Sequence, residues 1–357
     1  MNDLQASLLV IGGFTVAGVY LFNWWQERQF RRRSEQAFAR EHEDVLLEEE
    51  APARDADPVV RVEPKIPAEP AARPAAARPE VRAPTSAVAD PVIDYVVEVS
   101  LQSAADGMDL HEELLALAAG WGKPVVVAGY DRASDEWHAT GSGRQYSQLR
   151  FALQMSNRAG CVEPGQLTSF RDAVVRWTER NLGEAKYSDV AEAHAMAVQL
   201  DRFCADVDIA IGINVVTRDG NPFSGTKIRA LAESAGLKLE PDGVFLAYGE
   251  RGDARFALDN HEPMPFVPEQ MKTLFTSGIT FLLDVPRVDA AAHAFDTMVE
   301  TARNFAAALD GTLVDDNRNP LSDGAIETIR HRLKGILAKM DAAQIAAGGE
   351  RARRLFS

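Results

Sequence analysis

Residues 220–227, GNPFSGTK, have the residue types of a phosphate-binding loop. Such a loop joins a strand to a helix, and an apolar run, DIAIGINVV, precedes the segment while an amphipathic pattern follows it. In a phosphate loop the lysine follows the second glycine directly, whereas Thr226 separates Gly225 from Lys227 here. A nucleotide hydrolase using this loop is therefore the weaker interpretation. Ser224 or Thr226 as the N-cap of a helix is the simpler one.

Other residues that could do chemistry lack the necessary spacing. The seven histidines show no HxxxH or HExxH pattern, and no GxSxG motif occurs. Asp315 and Asp316 lie between a predicted strand and a predicted helix, where aspartates commonly make turns. Cys161 and Cys204 have no CxxC spacing and are typical of buried free thiols. We therefore predict a protein that is not an enzyme, with no catalytic residue, metal or cofactor.

Length and composition predict globular domains and argue against nucleic acid. The chain has 357 residues, of which 46% are hydrophobic, so it is long and apolar enough to bury a sizeable core. Its formal net charge is −15 at pH 7, whereas a protein that binds nucleic acid needs a basic surface. The sequence leaves the oligomeric state open.

A membrane anchor is predicted over residues 1–25. The segment LQASLLVIGGFTVAGVYLFNWW is uncharged and matches the ~20 residues that cross a bilayer. A cleaved signal peptide is the alternative, but no lysine or arginine precedes the apolar run. Arg28 and the three arginines of 31–33 follow it, so the positive-inside rule predicts a single-pass protein with a periplasmic N-terminus and its bulk in the cytoplasm. The inner-membrane lipid would hold the N-terminal helix.

Residues 26–91 are predicted to be a disordered linker. The acidic run EHEDVLLEEE comes first, and a segment rich in proline and alanine follows. Such a composition buries too little apolar surface to offset chain entropy. The linker would let the globular part work away from the membrane.

Two related lobes are predicted beyond the linker. Residues 92–204 form a degenerate α/β repeat and residues 205–345 a second one, each reading as strand, helix, three strands, helix and strand. In the first repeat, AVVRWTE at 173–179 is assigned as a strand. The fold class is α+β, an antiparallel sheet backed by helices in a split β-α-β arrangement like that of ferredoxin and RRM domains. The sequence does not decide whether strand 208–216 is shared between the lobes, and 346–357 is predicted to be a flexible tail.

Strand alternation predicts an open apolar face on the second sheet. With period two, GITFLLD places Thr280 and Leu282 on the face opposite to Ile279 and Phe281, and the same argument places Ala210 and Phe245 outward. An apolar patch on an open sheet is typical of a peptide-docking surface. The alternative is that the first lobe or the last helix covers this face.

Two motifs of the second lobe resemble those of the ZipA family of bacterial cell-division proteins. They are the strand TSGITFLLDVP at 276–286 and the turn GTLVDDNRNPL at 311–321. The likeness covers about residues 205–341, and the order of span, linker and C-terminal domain is also similar. The first lobe is not part of the pattern and looks like a diverged duplicate.

The resemblance implies a domain whose open sheet face binds the extended C-terminal tail of the tubulin-like division GTPase FtsZ. By position, the groove would comprise Ala210, Phe245, Asp259, His261, Thr280 and Leu282. Asp259 and His261 replace the alanine and methionine of the family pattern, and Gly243 fills another position that is usually apolar. These departures make the expected groove more polar and shallower.

Three functional hypotheses follow. The first is a membrane-anchored adaptor that tethers FtsZ filaments and stabilises the Z-ring at the inner membrane during septum assembly. The second is a membrane-tethered nucleotide hydrolase using residues 220–227. The third is a scaffold whose first lobe recruits another division protein, with Trp121, Trp137 and Trp177 as contacts or simply as core.

Overall fold

A computed structural model describes residues 89–141 and 144–357 of the chain. The membrane span predicted over 1–25 lies outside the described residues, and so does nearly all of the linker predicted over 26–91. Within the described ranges, no helix is both long and apolar enough to cross a membrane.

The first lobe combines a five-stranded antiparallel sheet with three helices. Its elements are β1 (Asp94–Asp106), α1 (Gly107–Ala118), β2 (Val125–Asp131), β3 (Glu136–Ala139), β4 (Gln145–Gln154), β5 (Ser156–Asn157), β6 (Gly160–Cys161), α2 (Pro164–Arg180), β7 (Gly183–Tyr187) and α3 (Val190–Val207). The strands of the sheet lie in the order β3-β2-β4-β1-β7. Strands β5 and β6 pair only with each other.

The second lobe has a six-stranded antiparallel sheet. Its elements are β8 (Ala210–Thr217), β9 (Phe223–Ser224), α4 (Gly225–Ser234), β10 (Lys238–Leu239), β11 (Phe245–Tyr248), β12 (Ala254–Asn260), β13 (Phe275–Thr276), β14 (Gly278–Asp284), a 3-10 helix (Val285–Arg287), α5 (Ala291–Leu309), β15 (Gly311–Val314), α6 (Asp323–Ala342) and α7 (Glu350–Leu355). The strand order is β10-β11-β12-β14-β8-β15. The predicted α+β class with antiparallel sheets and helices is confirmed.

Side-chain caps explain where several helices begin. Asp106 accepts a hydrogen bond from the backbone N–H of Met108 at the start of α1, and Asp189 caps α3 in the same way. The hydroxyl of Ser322 accepts from the N–H of Ala325, 3.2 Å away, and so caps the start of α6. Each cap provides an acceptor for an N–H group that the helix itself cannot pair.

Strand β8 belongs to the second sheet alone, where it pairs with β14 and β15. Helix α3 runs to Val207, so the lobes meet just before β8. When β8 is aligned with β1, the strands β14-β8-β15 match β4-β1-β7. The hairpin beside them is placed differently, because its first strand, β2, pairs with β4 in the first sheet, whereas its second strand, β12, pairs with β14 in the second sheet.

The strand assigned to residues 173–179 is wrong, because these residues lie in helix α2. Phe170, Val174 and Trp177 are buried there at helical spacing. The last of the three strands predicted between the two helices of the first lobe is instead β4, which lies between β1 and β2. A dense run of β-branched and aromatic residues favoured a strand by propensity, and the helical period was the better indicator.

The flexible tail predicted over 346–357 is also wrong. Ala352, Leu355 and Phe356 are fully buried in the core of the first lobe. The guanidinium of Arg354 donates to the carboxylate of Asp94 at the start of β1, and both side chains are almost inaccessible to solvent. The C-terminal residues therefore fold back from the second lobe onto the first, which a search for local patterns does not detect.

Candidate peptide-docking face

All helices that pack on the second sheet lie on one of its faces. The core on that side includes strand residues Ile213, Leu258 and Phe281 and helix residues Ile228, Phe295 and Leu333. The opposite side, called the outer face below, is formed by the alternate strand residues Ala210, Gly212, Asn214, Leu246, Tyr248, Ala257, Asp259, Thr280, Leu282 and Asp284. The outer face is the candidate site.

An apolar row crosses the middle of the outer face. The strand register places Leu246 opposite Ala257, Ala257 opposite Leu282, and Leu282 opposite Gly212. Leu246 and Ala257 are 6% and 4% exposed, whereas Leu282 is only half-buried. The cluster that contains them draws every member from residues 244–282 of this sheet, with no helix or first-lobe side chain among them. Leu282 is therefore the apolar side chain in this row most available to a partner.

A polar row lies beside the apolar one. Asp259 is opposite Thr280, and Thr280 is opposite Asn214. The hydroxyl of Thr280 donates to Oδ1 of Asn214 at 2.6 Å, so its oxygen accepts from Nδ1 of His261, 3.3 Å away. These hydrogen bonds link the residue after β12 to β14 and β8. They hold the polar row in one arrangement, which a docking segment would meet.

Asp316 extends the polar row from the adjoining turn. Nδ2 of Asn214 donates to Oδ1 of Asp316 at 3.0 Å. A side chain at Gly212 would place its Cβ 3.1 Å from the same oxygen, so this glycine leaves room for the carboxylate. Asp316 is itself exposed, and it thus presents negative charge at the β8 side of the outer face.

Asp315 has the turn role that the sequence predicts. Its carboxylate accepts from the backbone N–H groups of Asn317 and Asn319 and from the side-chain amide of Asn319. The side-chain bond from Asn319, with the backbone bonds, lowers the pKa of Asp315. Asp315 thus stabilises the turn, whereas Asp316 contacts the outer face. In the described part of the chain, no group of three or more His, Cys, Asp or Glu side chains is arranged to hold a metal ion.

The border of the outer face at β10 and β11 is formed by Tyr248, Glu240 and Lys238. The hydroxyl of Tyr248 donates to Oε1 of Glu240 at 2.6 Å, and Nζ of Lys238 lies 5.5 Å from the centre of the Tyr248 ring. Burial, together with this hydrogen bond to a carboxylate, raises the pKa of Tyr248 to about 12. Tyr248 is therefore a neutral hydrogen-bond donor at any physiological pH.

Another border is the contact with the first lobe. Nη2 of Arg158, between β5 and β6, lies 2.7 Å from Asp208 and 2.7 Å from Asp284. Asp284 is opposite Ala210 at the end of β14, so the ion pair marks where the outer face stops. The core contacts between the lobes run through the C-terminal residues instead, with Met340 and Ile345 in the first-lobe core.

Phe245 does not lie on the outer face, and its prediction as a groove residue is wrong. It is fully buried on the helix side, opposite Leu258, with its ring centroid 5.4 Å from that of Phe266. Every residue of VFLAYG is apolar or glycine apart from the tyrosine, so no charged residue fixes the phase of the alternation. Leu246 takes the position that was assigned to Phe245.

The other predicted groove residues gather on the outer face or at its rim. Asp259, Thr280 and Leu282 are neighbours there and are all half-buried. His261 follows the end of β12 and contacts Thr280. Ala210 is exposed at the first position of β8, toward the first lobe. Sequence reasoning missed Leu246, Asn214 and Asp316; for the last of these, only Gly212 in the adjoining strand gave a signal.

The 220–227 loop is not shaped to hold a phosphate. The N–H of Gly225, at the start of α4, donates to the carbonyl of Leu274 at 2.8 Å. A Cβ at Gly225 would lie 2.6 Å from the carbonyl oxygen of Met271, so this glycine allows two backbone segments to approach closely. Ser224 occupies the N-cap position, although its side chain makes no capping hydrogen bond. The segment 271–276 thus covers the helix end that would bind an anion.

The three tryptophans of the first lobe have different surroundings. Trp177 is 1% exposed and Trp121 packs edge-on against Phe170, so both belong to the core. Trp137 is half-buried on β3, with the guanidinium of Arg150 stacked 4.1 Å from its ring centre. Trp137, on the edge strand β3, is the one we consider as a contact for a partner.

Comparison with known proteins places the second lobe in a family. Residues 209–332 match the family described as "ZipA, C-terminal FtsZ-binding domain". The chain is similar to proteins named cell division protein ZipA from Marinobacter nauticus (32% identity over 126 residues) and Pseudomonas aeruginosa (30% over 133 residues). These alignments cover 34% and 36% of this chain, and 37% and 46% of the two relatives. The two alignments thus span less than half the length of either relative.

Proposed function

Since residues 209–332 form a domain of the ZipA family, we propose that this chain is a non-enzymatic cell-division adaptor that binds the C-terminal tail of FtsZ on its outer face. The observation that carries the proposal is the apolar row of Leu246, Ala257 and Leu282, which no helix of the lobe covers. An extended peptide would lie against this row and make its side-chain contacts there.

The proposed contact residues combine the family pattern with the observed geometry. They are Ala210, Leu246, Ala257, Asp259, His261, Thr280 and Leu282. Phe245 acts indirectly, because its burial beneath β11 holds this part of the sheet in place. The shared arrangement of three strands, β4-β1-β7 in the first sheet and β14-β8-β15 in the second, supports the further proposal that the first lobe is a diverged duplicate.

We also propose a location at the inner membrane of the division septum. The uncharged run within residues 1–25 would anchor the chain once, with its N-terminus in the periplasm and both lobes in the cytoplasm. The linker over 26–91 would give the lobes reach and a high local concentration. Many weak contacts along one FtsZ filament would then add up to firm tethering and stabilise the Z-ring.

A recruitment assay tests this function. The full chain is reconstituted into lipid vesicles and the binding of fluorescent FtsZ to the vesicle surface is measured. We expect recruitment by the unaltered chain and its loss with Leu282→Lys, because the variant places a charge in the apolar row. The matched control is Leu115→Lys on α1, at a leucine that is 58% exposed in the first lobe. Equal recruitment by the two variants would contradict the proposal.

The competing functions have less support. The nucleotide hydrolase is not favoured, since the start of α4 is covered by residues 271–276. A scaffold role for the first lobe would use Trp137 as a contact. The same vesicle assay with Trp137→Ala shows whether this contact is needed for FtsZ binding. We expect that variant to recruit FtsZ normally.

A further inference from the structure

The apolar row of the outer face is bordered by carboxylates. Asp259 and Asp316 lie at the two ends of the polar row, and Asp284 follows Leu282 two residues along β14. Asp284 is paired with Arg158, whereas Asp316 is exposed and its carboxylate accepts a hydrogen bond from the neutral amide of Asn214. The negative charge beside Leu282 is thus concentrated at the β8 side.

We propose that the segment docked on the outer face carries a lysine or arginine next to its apolar anchor, and that Asp316, with Asp259, selects this basic residue. The proposal rests on the proposed function and adds the chemistry of the partner segment. Charge complementarity across an interface fixes register and rejects wrong partners.

The spacing of the two rows fits one extended peptide. Residues on the same face of a strand are two positions apart, about 7 Å, and the apolar and polar rows are separated by this distance. A peptide that runs along β14 with one side chain over Leu282 therefore places its second-next side chain over Thr280. From there a lysine or arginine stem reaches Asp259 on one neighbouring strand or Asp316 above the other.

The rest of the face supports this polarity. Its other border has a positive charge, Lys238, beside the Tyr248 ring. Glu240, also at that border, accepts a hydrogen bond from the hydroxyl of Tyr248 and keeps its negative charge. His261 contacts Thr280 through Nδ1, at the Asp259 end of the polar row and not at Asp316. Lys238 and Glu240 offset each other at that border, so the exposed carboxylate of Asp316 at the β8 side is the stronger attraction for a basic side chain.

The whole chain is acidic, with a net charge of −15, and therefore attracts basic peptides in general. The experiment must separate this general attraction from the local attraction of the Asp316 carboxylate. The matched control is Glu300→Lys on α5, because it changes net charge as much as Asp316→Lys at an exposed carboxylate on the helix side of the lobe. Asp316→Asn keeps an oxygen for the Asn214 amide and removes only the charge.

The experiment measures the affinity of the full chain in vesicles for FtsZ. We expect Asp316→Asn to weaken binding about 2- to 5-fold and Asp316→Lys about tenfold, with Glu300→Lys near the unaltered value. Replacing in turn each lysine or arginine of the FtsZ tail by glutamate should yield one position that restores binding to Asp316→Lys.

Three outcomes overturn the inference. The first is that Asp316 variants bind like Glu300→Lys, and the second is that no position in the FtsZ tail restores binding to Asp316→Lys. In either case the proposed function still stands if Leu282→Lys abolishes binding. Absence of FtsZ binding by the unaltered chain would remove both. The thermal unfolding midpoint of each variant shows whether the domain remains folded. If Asp316→Lys unfolds, the affinity of Asp316→Asn for FtsZ tests the inference by itself.

Discussion

Phe245 and Leu246 are neighbours in sequence and lie on opposite faces of the second sheet. Phe245 packs against Phe266 beneath the sheet, and Leu246 joins Ala257 and Leu282 above it. This single relationship decides which side chain of β11 a partner can touch.

Alanine substitutions should separate the two positions. Phe245→Ala removes a fully buried ring and should lower the free energy of unfolding by about 3–5 kcal/mol, whereas Leu246→Ala should cost about 2 kcal/mol because its cluster is small. Denaturant unfolding of the full chain measures both. A larger loss at Leu246 than at Phe245 would show that the strand is turned the other way.

Which residues lie on the outer face could be predicted from the sequence for β14 but not for β11. In GITFLLD the polar residues Thr280 and Asp284 fix the phase, so Leu282 is assigned correctly to the outer face. In β11 nearly every residue is apolar because the sheet has an apolar cluster on its second face as well. Periodicity alone does not distinguish the two faces of such a strand.

The C-terminal residues are a second example in which the sequence predicts one feature and not another. The N-cap at Ser322 could be recognised because the signal is local. The burial of Leu355 and Phe356 could not, because their partners lie some 200 residues earlier, as the 3.1 Å hydrogen bond from Gln154 to the carbonyl of Arg354 illustrates. Asp316 was missed for a similar reason, since its place on the outer face depends on Gly212.

Removing Arg354 should destabilise the joined lobes. Arg354→Met leaves the carboxylate of Asp94 buried without its cation, which typically costs about 3–5 kcal/mol. The double variant Asp94→Leu with Arg354→Met should recover most of this loss, and Arg353→Met on the same helix serves as control. Calorimetric unfolding of each variant measures the effect. If Arg354→Met unfolds at the same temperature as Arg353→Met, the C-terminal segment does not hold the first lobe.

The two thiols should differ in reactivity. Burial raises the pKa of Cys204 to about 12, and the thiol is 6% exposed, whereas Cys161 is half-buried. Because the thiolate is the reactive form, a thiol reagent at pH 8 should label Cys161 in the Cys204→Ser variant much faster than Cys204 in the Cys161→Ser variant. Denaturant should remove the difference. Rapid labelling of native Cys204 would contradict the packing of α3.

Tyr248 should make stability depend on pH in the alkaline range. Its pKa of about 12 in the folded protein lies above the ordinary value of 10.0, so its contribution is complete below pH 10 and declines as the pH rises toward 12. The difference in unfolding free energy between the unaltered chain and Tyr248→Phe should therefore shrink between pH 10 and pH 12. A constant difference would show that Tyr248 ionises normally.

The most direct test of the account is photo-cross-linking from the outer face. A photoreactive amino acid is placed at Leu282 or, as control, at Glu300 on the helix side, and the full chain is irradiated with FtsZ. We predict a covalent product between position 282 and the C-terminal tail of FtsZ, and none from position 300. Cross-links of equal yield from both positions, or products from position 300 alone, would contradict docking on the outer face.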